Sequence, residues 1–363
     1  MKITLLVDSL GFGGAQRQIA NLAVELKAKG HEISFLRYAK DDFYLPLLQK
    51  AAIEPITVES GNPVSRLLGI RKVVRSIRPD ILISFMGTPN FCACIASVGK
   101  HPWKLIVSER IANHGAFLNK KARFMKKVQA KYADAIVCNS KCAEGLWEKY
   151  YPKTKSKLST IYNIIDIPEV STEKKNDGKC RLLIAARYET EKNLDGMIEA
   201  VKLLDASERE KLEIHWYGKA NVSNSVESAY DKGARIVKES SLDSCIFLHP
   251  ATDKIHEFMA EADFVALFSH MEGLPNSIIE GMTLKKPIVM SKVSDYAVLV
   301  DDTNGFLCDP TSPEDIAKAI RDAINTTEDE RDKMGEASYS RIQTICSREA
   351  VISQWEEMIK KFD

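Results

Sequence analysis

Apolar runs of strand length alternate with segments of helical periodicity along the first 150 residues. The first run, ITLLVDS (3–9), precedes a segment near 14–29 whose apolar residues recur at positions i, i+3, i+4 and i+7, which indicates a helix with one buried face. Strands joined by covering helices form a parallel sheet buried on both faces. The pattern therefore predicts a doubly wound α/β domain. The recurring apolar residues of its first helix are Ile19, Leu22, Ala23 and Leu26.

A polar, charged stretch without periodicity, residues 165–179, interrupts the alternation and predicts a linker. A second series of strands and helices begins at CRLLIAA (180–186). We therefore expect two Rossmann-like domains of similar size, 1–168 and 169–345, and a last helix within 346–363 that packs back on the first domain. A cleft between two such domains is a favoured place for a ligand.

Length and composition are those of a globular protein with two cores. At 363 residues the chain exceeds the roughly 250–300 residues that one core usually supports, and 45% hydrophobic with 28% charged residues is not the composition of a disordered chain. There is no apolar run of about 18 residues and no signal-peptide pattern at MKITLLVDSL, which predicts a cytoplasmic protein without a membrane span. The eight cysteines lack paired C-x2-C spacing, which indicates reduced thiols and argues against zinc.

The net charge of +1 conceals an asymmetry between the two halves. Residues 1–168 contain 26 Lys and Arg against 13 Asp and Glu, whereas the remainder contains 25 against 37. A basic first half is typical of a domain that meets an anionic ligand or surface. Electrostatic attraction between the two domains is the alternative explanation.

The segment MEGLPNSIIE (271–280) lies between two apolar runs, and we interpret it as a strand-to-helix crossover. Pro275 suits a first helical position, which predicts a helix over about 275–285. Free amides at its start would face the ligand edge of a parallel sheet and favour anions. Glu272 lies in the loop and Glu280 within the helix, so the two carboxylates can contact different parts of one ligand. A loop acid and a solvated helix acid are the alternative.

Two cations follow the first strand of the second series. In LLIAARYETEKNLDGMIEA (182–200), Arg187 and Lys192 come at the carboxyl end of the strand, again on the ligand edge of the sheet. A guanidinium and an ammonium there can bind phosphate oxygens and neutralise a diphosphate leaving group. Solvated loop charges are the alternative.

A glycine-rich turn, DSLGFGGAQRQ (8–18), connects the first strand to the first helix. Gly11, Gly13 and Gly14 permit close approach of a ligand to the backbone. No third glycine stands near Gln16, so the turn does not match the dinucleotide fingerprint G-x-G-x-x-G.

The loop after the fifth strand carries further polar residues. LIVSERIANHGAF (105–117) contains Glu109, Arg110, Asn113 and His114, any of which could face the cleft. A structural Glu109–Arg110 ion pair and a solvated histidine are the alternatives.

A basic amphipathic segment follows in LNKKARFMKKVQAKY (118–132). Its cations are interleaved with apolar residues, which is typical of helices that lie on an anionic bilayer. A packed helix with one solvated side is the alternative, and no nucleic-acid-binding module accompanies the charge. The cations are Lys120, Lys121, Arg123, Lys126, Lys127 and Lys131.

Several ordered motifs together resemble a retaining glycosyltransferase of the GT4 family with the GT-B fold. They are the glycine turn, A-R-x4-K-N at 186–193, E-G-x-P-x4-E at 272–280 and N-G-F-L at 304–307. The resemblance covers essentially the whole chain. It implies two Rossmann-like domains that face a central cleft and bind a nucleotide sugar, with a UDP-sugar as the expected donor and no cofactor. The sequence contains no D-x-D triplet, which fits a transferase that needs no metal.

The resemblance also implies roles for individual residues. Glu280 would hold the ribose of the donor, Arg187 and Lys192 would hold its diphosphate, and Glu272 would act beside the donor sugar. The remaining donor-binding residues would be Gly13, Gly14, Gly273, Leu274, Pro275 and Asn276. The acceptor or sugar would lie near Glu109, Arg110, His114 and Asn163.

The implied acceptor is lipid-linked or another saccharide in bacterial surface polysaccharide synthesis, and the basic segment predicts a location at the inner face of the cell membrane. Many relatives carry a histidine where Ser108, Glu109 and Arg110 stand, so the role of that histidine would be filled differently here or by a neighbour such as His114. A nucleotide-sugar epimerase or phosphorylase-like enzyme of the same fold is an alternative, for which no catalytic carboxylate set or pyridoxal lysine can be assigned. An NAD-dependent oxidoreductase is a third hypothesis, which the incomplete glycine fingerprint opposes.

Overall fold

The computed structural model describes residues 1–110, 114–165, 170, 177–220 and 228–362, without the side chains of His114 and Ala116. The chain forms two compact units, each described below by itself. Met1–Ile164 and Arg348–Asp363 form the first unit, and Ile165–Ser347 form the second. The sequence-based boundary between residues 168 and 169 lies outside the described residues.

The first unit is built on a seven-stranded parallel sheet in the order β3-β2-β1-β4-β5-β6-β7. Its strands are β1 (Lys2–Leu6), β2 (Glu32–Arg37), β3 (Pro55–Thr57), β4 (Ile81–Phe85), β5 (Lys104–Glu109), β6 (Ala135–Cys138) and β7 (Leu158–Thr160). Its helices up to the linker are α1 (Gly14–Ala28), α2 (Leu45–Lys50), α3 (Pro63–Ile77), α4 (Gly87–Ala96), α5 (His114–Leu118), α6 (Lys120–Tyr132) and α7 (Lys141–Tyr150).

The second unit is built on a six-stranded parallel sheet in the order β10-β9-β8-β11-β12-β13. Its strands are β8 (Cys180–Ala185), β9 (Leu212–Gly218), β10 (Ile246–Pro250), β11 (Phe264–Leu267), β12 (Ile288–Ser291) and β13 (Gly305–Cys308). Its helices are α8 (Leu194–Lys202), α9 (Ala206–Glu210), α10 (Ala229–Glu239), α11 (Ile255–Glu261), α12 (Asn276–Thr283), α13 (Tyr296–Leu299), α14 (Pro313–Asn325) and α15 (Glu328–Cys346). The last helix, α16 (Arg348–Lys360), belongs to the first unit.

Both faces of the first sheet are buried, because consecutive residues of a strand point to opposite faces. Leu5 packs in the cluster that includes Ile83 and Trp355. Its neighbour Leu6 packs in the cluster that includes Leu82 on the other face. Burying a side chain of this size contributes about 1.5–3 kcal/mol, so helices on both faces stabilise the sheet.

The helix α12 can approach β11 closely because Gly281 has no side chain. A Cβ atom at residue 281 would lie 2.6 Å from Cγ2 of Val265 on β11. Ile278 and Ile279, also on α12, are fully buried. Close packing of this kind fixes the helix that carries Glu280 against the sheet.

Each sheet has one point at which the order of its strands reverses. In the first unit β1 lies beside β4, and in the second unit β8 lies beside β11. Open α/β sheets bind ligands outside the carboxyl ends of the strands at such a switch point. The loops that follow these four strands are therefore the places where functional side chains are expected.

Candidate active site

The loops after β8 and β11 are joined at the switch point of the second unit. Nζ of Lys192 lies 2.5 Å from Oε1 of Glu272, and the hydroxyl of Ser269 donates to the same carboxylate oxygen at 2.7 Å. The amide of His270 donates to the carbonyl of Glu191 at 2.8 Å. Two residues predicted to be catalytic, 80 positions apart in the chain, are thus in direct contact.

Asn193 holds this arrangement together. Its backbone is left-handed, with φ of 64°, and its side chain caps α8 by accepting a hydrogen bond from the amide of Gly196. Its side-chain nitrogen donates to the carbonyls of Phe268 and Pro310 at 3.0 and 2.8 Å. Asparagine tolerates this backbone conformation better than most residues, which explains its use here. Asn193 belongs to the A-R-x4-K-N motif, but the motif alone does not predict this role for it.

Arg187 and Lys192 line one cavity of about 480 Å³ together with Met271 from the loop after β11. The Arg187 side chain is 63% exposed, and its guanidinium pairs with Oε1 of Glu189 at 2.9 Å. The cavity combines two cations with acidic partners that hold them. Its two cations are groups that can bind the phosphate oxygens of a diphosphate, while the carboxylates of Glu189 and Glu191 also line the cavity.

Tyr188 anchors the strand end that carries Arg187. Its hydroxyl donates to the carbonyls of Trp216 and His249, at 2.8 and 2.9 Å. Burial raises the pKa of the Tyr188 hydroxyl far above its usual value, so it remains a donor at neutral pH.

Glu280 lies on α12 and faces a different partner from Glu272. Its Oε2 atom is 3.4 Å from Nε2 of His256 on α11, and the Glu280 side chain is largely buried. The helix begins at Asn276, one residue later than predicted, and Pro275 is its cap residue. The carbonyl of Pro275 accepts hydrogen bonds from the backbone amides of Ile278 and Ile279. It ends at Thr283, two residues before the predicted end.

The other residues predicted to bind the donor surround the start of α12. The carbonyl of Gly273 accepts a hydrogen bond from the Ser294 hydroxyl, Leu274 is buried, and Asn276 is the first helical residue. The main-chain loop before α12 is therefore tied to the loop after β12.

In the first unit, Gly13 and Gly14 form the start of α1 at the switch point. Gly13 caps the helix and Gly14 is its first residue. The side-chain amide of Gln16 donates to Oδ1 of Asp8 at 3.1 Å and lies 3.9 Å from the sulfur of Met86, which follows β4. The glycine turn is thus tied to both strands that flank the switch point.

Glu109 and Arg110 are buried at the end of β5 and do not pair with each other. Glu109 forms an ion pair with Lys126, and Arg110 donates to Oδ1 of Asn163 and lies 4.7 Å from the ring of Phe85. Burial lowers the pKa of the Arg110 guanidinium to about 9. The possible Glu109–Arg110 ion pair is therefore wrong, since each charge has a partner from a distant segment.

The two remaining residues of this loop cannot be compared with the prediction. Asn113 and the side chain of His114 lie outside the described residues.

Comparisons with known proteins show the family of the chain. The family model of glycosyl transferases group 1 matches residues 168–341, and that of glycosyltransferase family 4 matches residues 12–169. Together the two matches run from residue 12 to residue 341. This chain is a GT4-type glycosyltransferase with the GT-B fold.

Individual relatives of this glycosyltransferase are distant but similar over most of their length. The "GalNAc-alpha-(1->4)-GalNAc-alpha-(1->3)-diNAcBac-PP-undecaprenol alpha-1,4-N-acetyl-D-galactosaminyltransferase" of Campylobacter jejuni is 24% identical over 90% of this chain and 89% of its own. The "N-acetylgalactosamine-N,N'-diacetylbacillosaminyl-diphospho-undecaprenol 4-alpha-N-acetylgalactosaminyltransferase" of the same organism is 24% identical over 94% of each chain. The crystal structure of HepE from Anabaena in complex with UDP has a TM-score of 0.86 at 18% identity, covering 99% of this chain and 100% of that one.

The basic segment of the glycosyltransferase forms α6, and one of its predicted surface cations is buried. Lys126 pairs with Glu109 and lies 4.2 and 4.9 Å from the rings of Phe117 and Trp147. Its inclusion in a membrane-facing set is therefore wrong. Leu118 and Phe124 are 56% and 60% exposed. The exposed cations of the segment are Lys120, Lys121, Arg123, Lys127 and Lys131.

Two further observations concern metals and membranes. No group of three or more His, Cys, Asp or Glu side chains in the described part of the chain is arranged to hold a metal ion. None of the helices in the described ranges combines the length and the apolar character that crossing a bilayer requires.

Proposed function

We propose that this glycosyltransferase transfers a sugar, with retention of configuration and without a metal ion, from a UDP-sugar to a lipid-linked or other saccharide acceptor in bacterial surface polysaccharide synthesis. The observation that carries the proposal is that Lys192, held by Glu272, lines one cavity with Arg187 at the switch point of the second unit. The assignment of the chain to the GT4-type glycosyltransferases favours this hypothesis over an epimerase or an oxidoreductase. The UDP complex of HepE supports the choice of base.

Arg187 and Lys192 bind the diphosphate in this proposal. An ammonium group has three N–H donors, and Glu272 accepts one of them, so Lys192 keeps donors for phosphate oxygens while Glu272 fixes its position. Preorganised charge of this kind acts on the negative charge that develops as the diphosphate leaves. The two side chains supply the positive charge that a metal ion provides in other transferases, which is why we propose a metal-independent reaction.

The chemical step breaks the bond between the anomeric carbon and a β-phosphate oxygen. The acceptor oxygen attacks on the face that the diphosphate leaves, so the configuration is retained. The acceptor proton passes to the departing phosphate oxygen, and no separate protein base is required. The amides of Gly273, Leu274 and the start of α12 lie where they can support the donor, and Glu280 binds its ribose hydroxyls.

The acceptor side of the proposal rests on the first unit. The names of the two Campylobacter relatives include saccharides linked to undecaprenol through a diphosphate. Acceptors linked to such a lipid are held in membranes. We propose that exposed Leu118 and Phe124, with the exposed cations of α6, attach the protein to the anionic inner face of the cell membrane. Glu109, Arg110, His114 and Asn163 stay candidates for the vicinity of the acceptor or sugar, and Gly13 and Gly14 stay candidates for donor binding.

The proposal is tested by following the thermal stability of the protein with UDP, GDP and ADP. A ligand that binds the folded state at about 100 times its Kd adds about 2.7 kcal/mol of stability. We expect UDP to raise the melting temperature most, and Glu280→Ala to reduce that increase. An equal response to all three nucleotides, or none to UDP, would count against a UDP-sugar donor.

A further inference from the structure

His256 occupies a site that neither the motifs nor the family assignment includes. It lies at the start of α11, in the segment that follows the carboxyl end of β10. Its Nε2 atom is 3.4 Å from Oε2 of Glu280. The same nitrogen is buried and makes no hydrogen bond with any residue that the structure describes.

This placement restricts what the His256 nitrogen can do. Nε2 is shielded from solvent, and the carboxylate of Glu280 is a charged group that it faces. A lone pair on Nε2 would repel the carboxylate oxygen at this separation, which favours the tautomer with the proton on Nε2. An N–H group that faces a largely buried carboxylate restrains the rotation of that carboxylate and stabilises the negative charge on it.

Both helices that carry the pair are held rigidly. On α11, Phe258 stacks on Tyr217 of β9 with ring centres 4.9 Å apart, and Met259 is fully buried. On α12, the contact of Gly281 with Val265 fixes the helix against β11. The distance between His256 and Glu280 is therefore set by the packing of two helices on one sheet and does not depend on a flexible loop.

We propose that His256 is a positioning residue for the donor nucleotide. Active-site contacts that are long in the free protein can shorten when a ligand binds, and in the nucleotide complex Nε2 donates to Oε2 of Glu280 and holds the carboxylate in the orientation that accepts hydrogen bonds from two ribose hydroxyls. This inference rests on the proposed function, because it deepens the ribose contact assigned there to Glu280. A preorganised carboxylate loses less freedom when the ligand binds, which strengthens binding.

The test compares the binding of UDP and of inorganic pyrophosphate by calorimetry to the full-length protein and its variants. His256→Leu removes the donor, and we expect it to weaken UDP binding about tenfold, because hydrogen bonds to charged groups contribute about 1.5–3 kcal/mol. His256→Gln keeps an N–H donor at a similar distance from the backbone and should bind UDP within about threefold of the unaltered protein. Pyrophosphate lacks a ribose, so its binding should be the same in all three proteins.

A double-mutant cycle separates this role from a merely structural one. If His256 acts through Glu280, His256→Leu should change UDP binding less than about twofold in the Glu280→Ala background. A full tenfold effect in that background, equal losses for UDP and pyrophosphate, or unaltered UDP binding by His256→Leu would each overturn the inference.

The single variants also distinguish the inference from the proposed function. Weaker UDP binding by Glu280→Ala together with unaltered binding by His256→Leu refutes only the role of His256. Unaltered UDP binding by Glu280→Ala, or no UDP binding by the original protein, refutes the proposed donor contact and the role of His256 with it.

Discussion

At the residue scale, the contacts of the charged side chains decide which of them can act. Lys192 and Arg187 belong to the same short segment but differ in how firmly they are held. The Lys192 side chain is 17% exposed and tied to Glu272, whereas the Arg187 side chain is 63% exposed and pairs with its near neighbour Glu189. A preorganised group loses less freedom in the transition state, so Lys192 is the stronger candidate for charge stabilisation.

We therefore expect Lys192→Met to lower kcat by about 10²-fold, the usual effect of removing one preorganised donor. The measurement is the initial rate of sugar transfer from the donor that the nucleotide screen identifies. Lys202→Met is the matched control, because Lys202 lies on the neighbouring helix α8 and pairs with Glu199 at the surface. A kcat within threefold of the original protein for Lys192→Met would contradict the proposed role.

At the scale of elements, α6 combines structural and surface functions along one helix. Its buried side carries Lys126 and Gln129, and Lys126 joins the helix to the end of β5 through Glu109. Its outer side leaves Phe124 exposed beside Lys121 and Lys127. The first unit therefore has an apolar and basic surface on a helix that also supports a candidate site loop.

Reversal of Lys120, Lys121 and Lys127 to Glu should weaken binding to phosphatidylglycerol vesicles by at least about 100-fold, since each basic residue near an anionic surface contributes about 1 kcal/mol. Cosedimentation at low and high salt measures this, and salt should release the unaltered protein. The control reverses Lys29, Lys50 and Lys100, which are exposed on other segments of the same unit and change the net charge equally. Equal losses in both triple variants would show that net charge alone, and not α6, governs binding.

At the scale of the whole molecule, the last helix completes the first unit although nearly the entire second unit separates them in the chain. On α16, Trp355 is buried and stacks on Phe85 of β4, with ring centres 6.0 Å apart. Glu356 lies 2.7 Å from His31, and Arg348 pairs with Glu25. The core of the first unit is therefore incomplete without α16.

Trp355→Ala should lower the free energy of unfolding of the first unit by about 3–5 kcal/mol, because it leaves a large cavity in the core. Differential scanning calorimetry should show an earlier transition, while UDP still shifts the transition of the second unit upward. Trp355→Phe retains an aromatic ring against Phe85 and should lose less stability. An unshifted transition in Trp355→Ala would contradict this account of α16.

The agreement between sequence and structure is best where the signals are local. The helix predicted near residues 14–29 is observed at Gly14–Ala28, and its periodic apolar residues Ile19, Leu22, Ala23 and Leu26 are all buried. Strand β7 was not predicted, since its three residues form no apolar run and are defined by pairing with β6. Short helices α9 and α13 were missed for the same reason, because five and four residues are too few to show a period.

The sequence by itself determined two α/β series, the ligand edge of each sheet and the residue types that a diphosphate needs, because apolar periodicity and turn residues act over a few neighbouring positions. Only the tertiary structure decided which charges meet. It joined Lys192 to Glu272, withdrew Lys126 from the surface to pair with Glu109, and brought His256 beside Glu280. Such pairs depend on which strands lie side by side, and strand order follows from packing the whole chain, which no local pattern encodes.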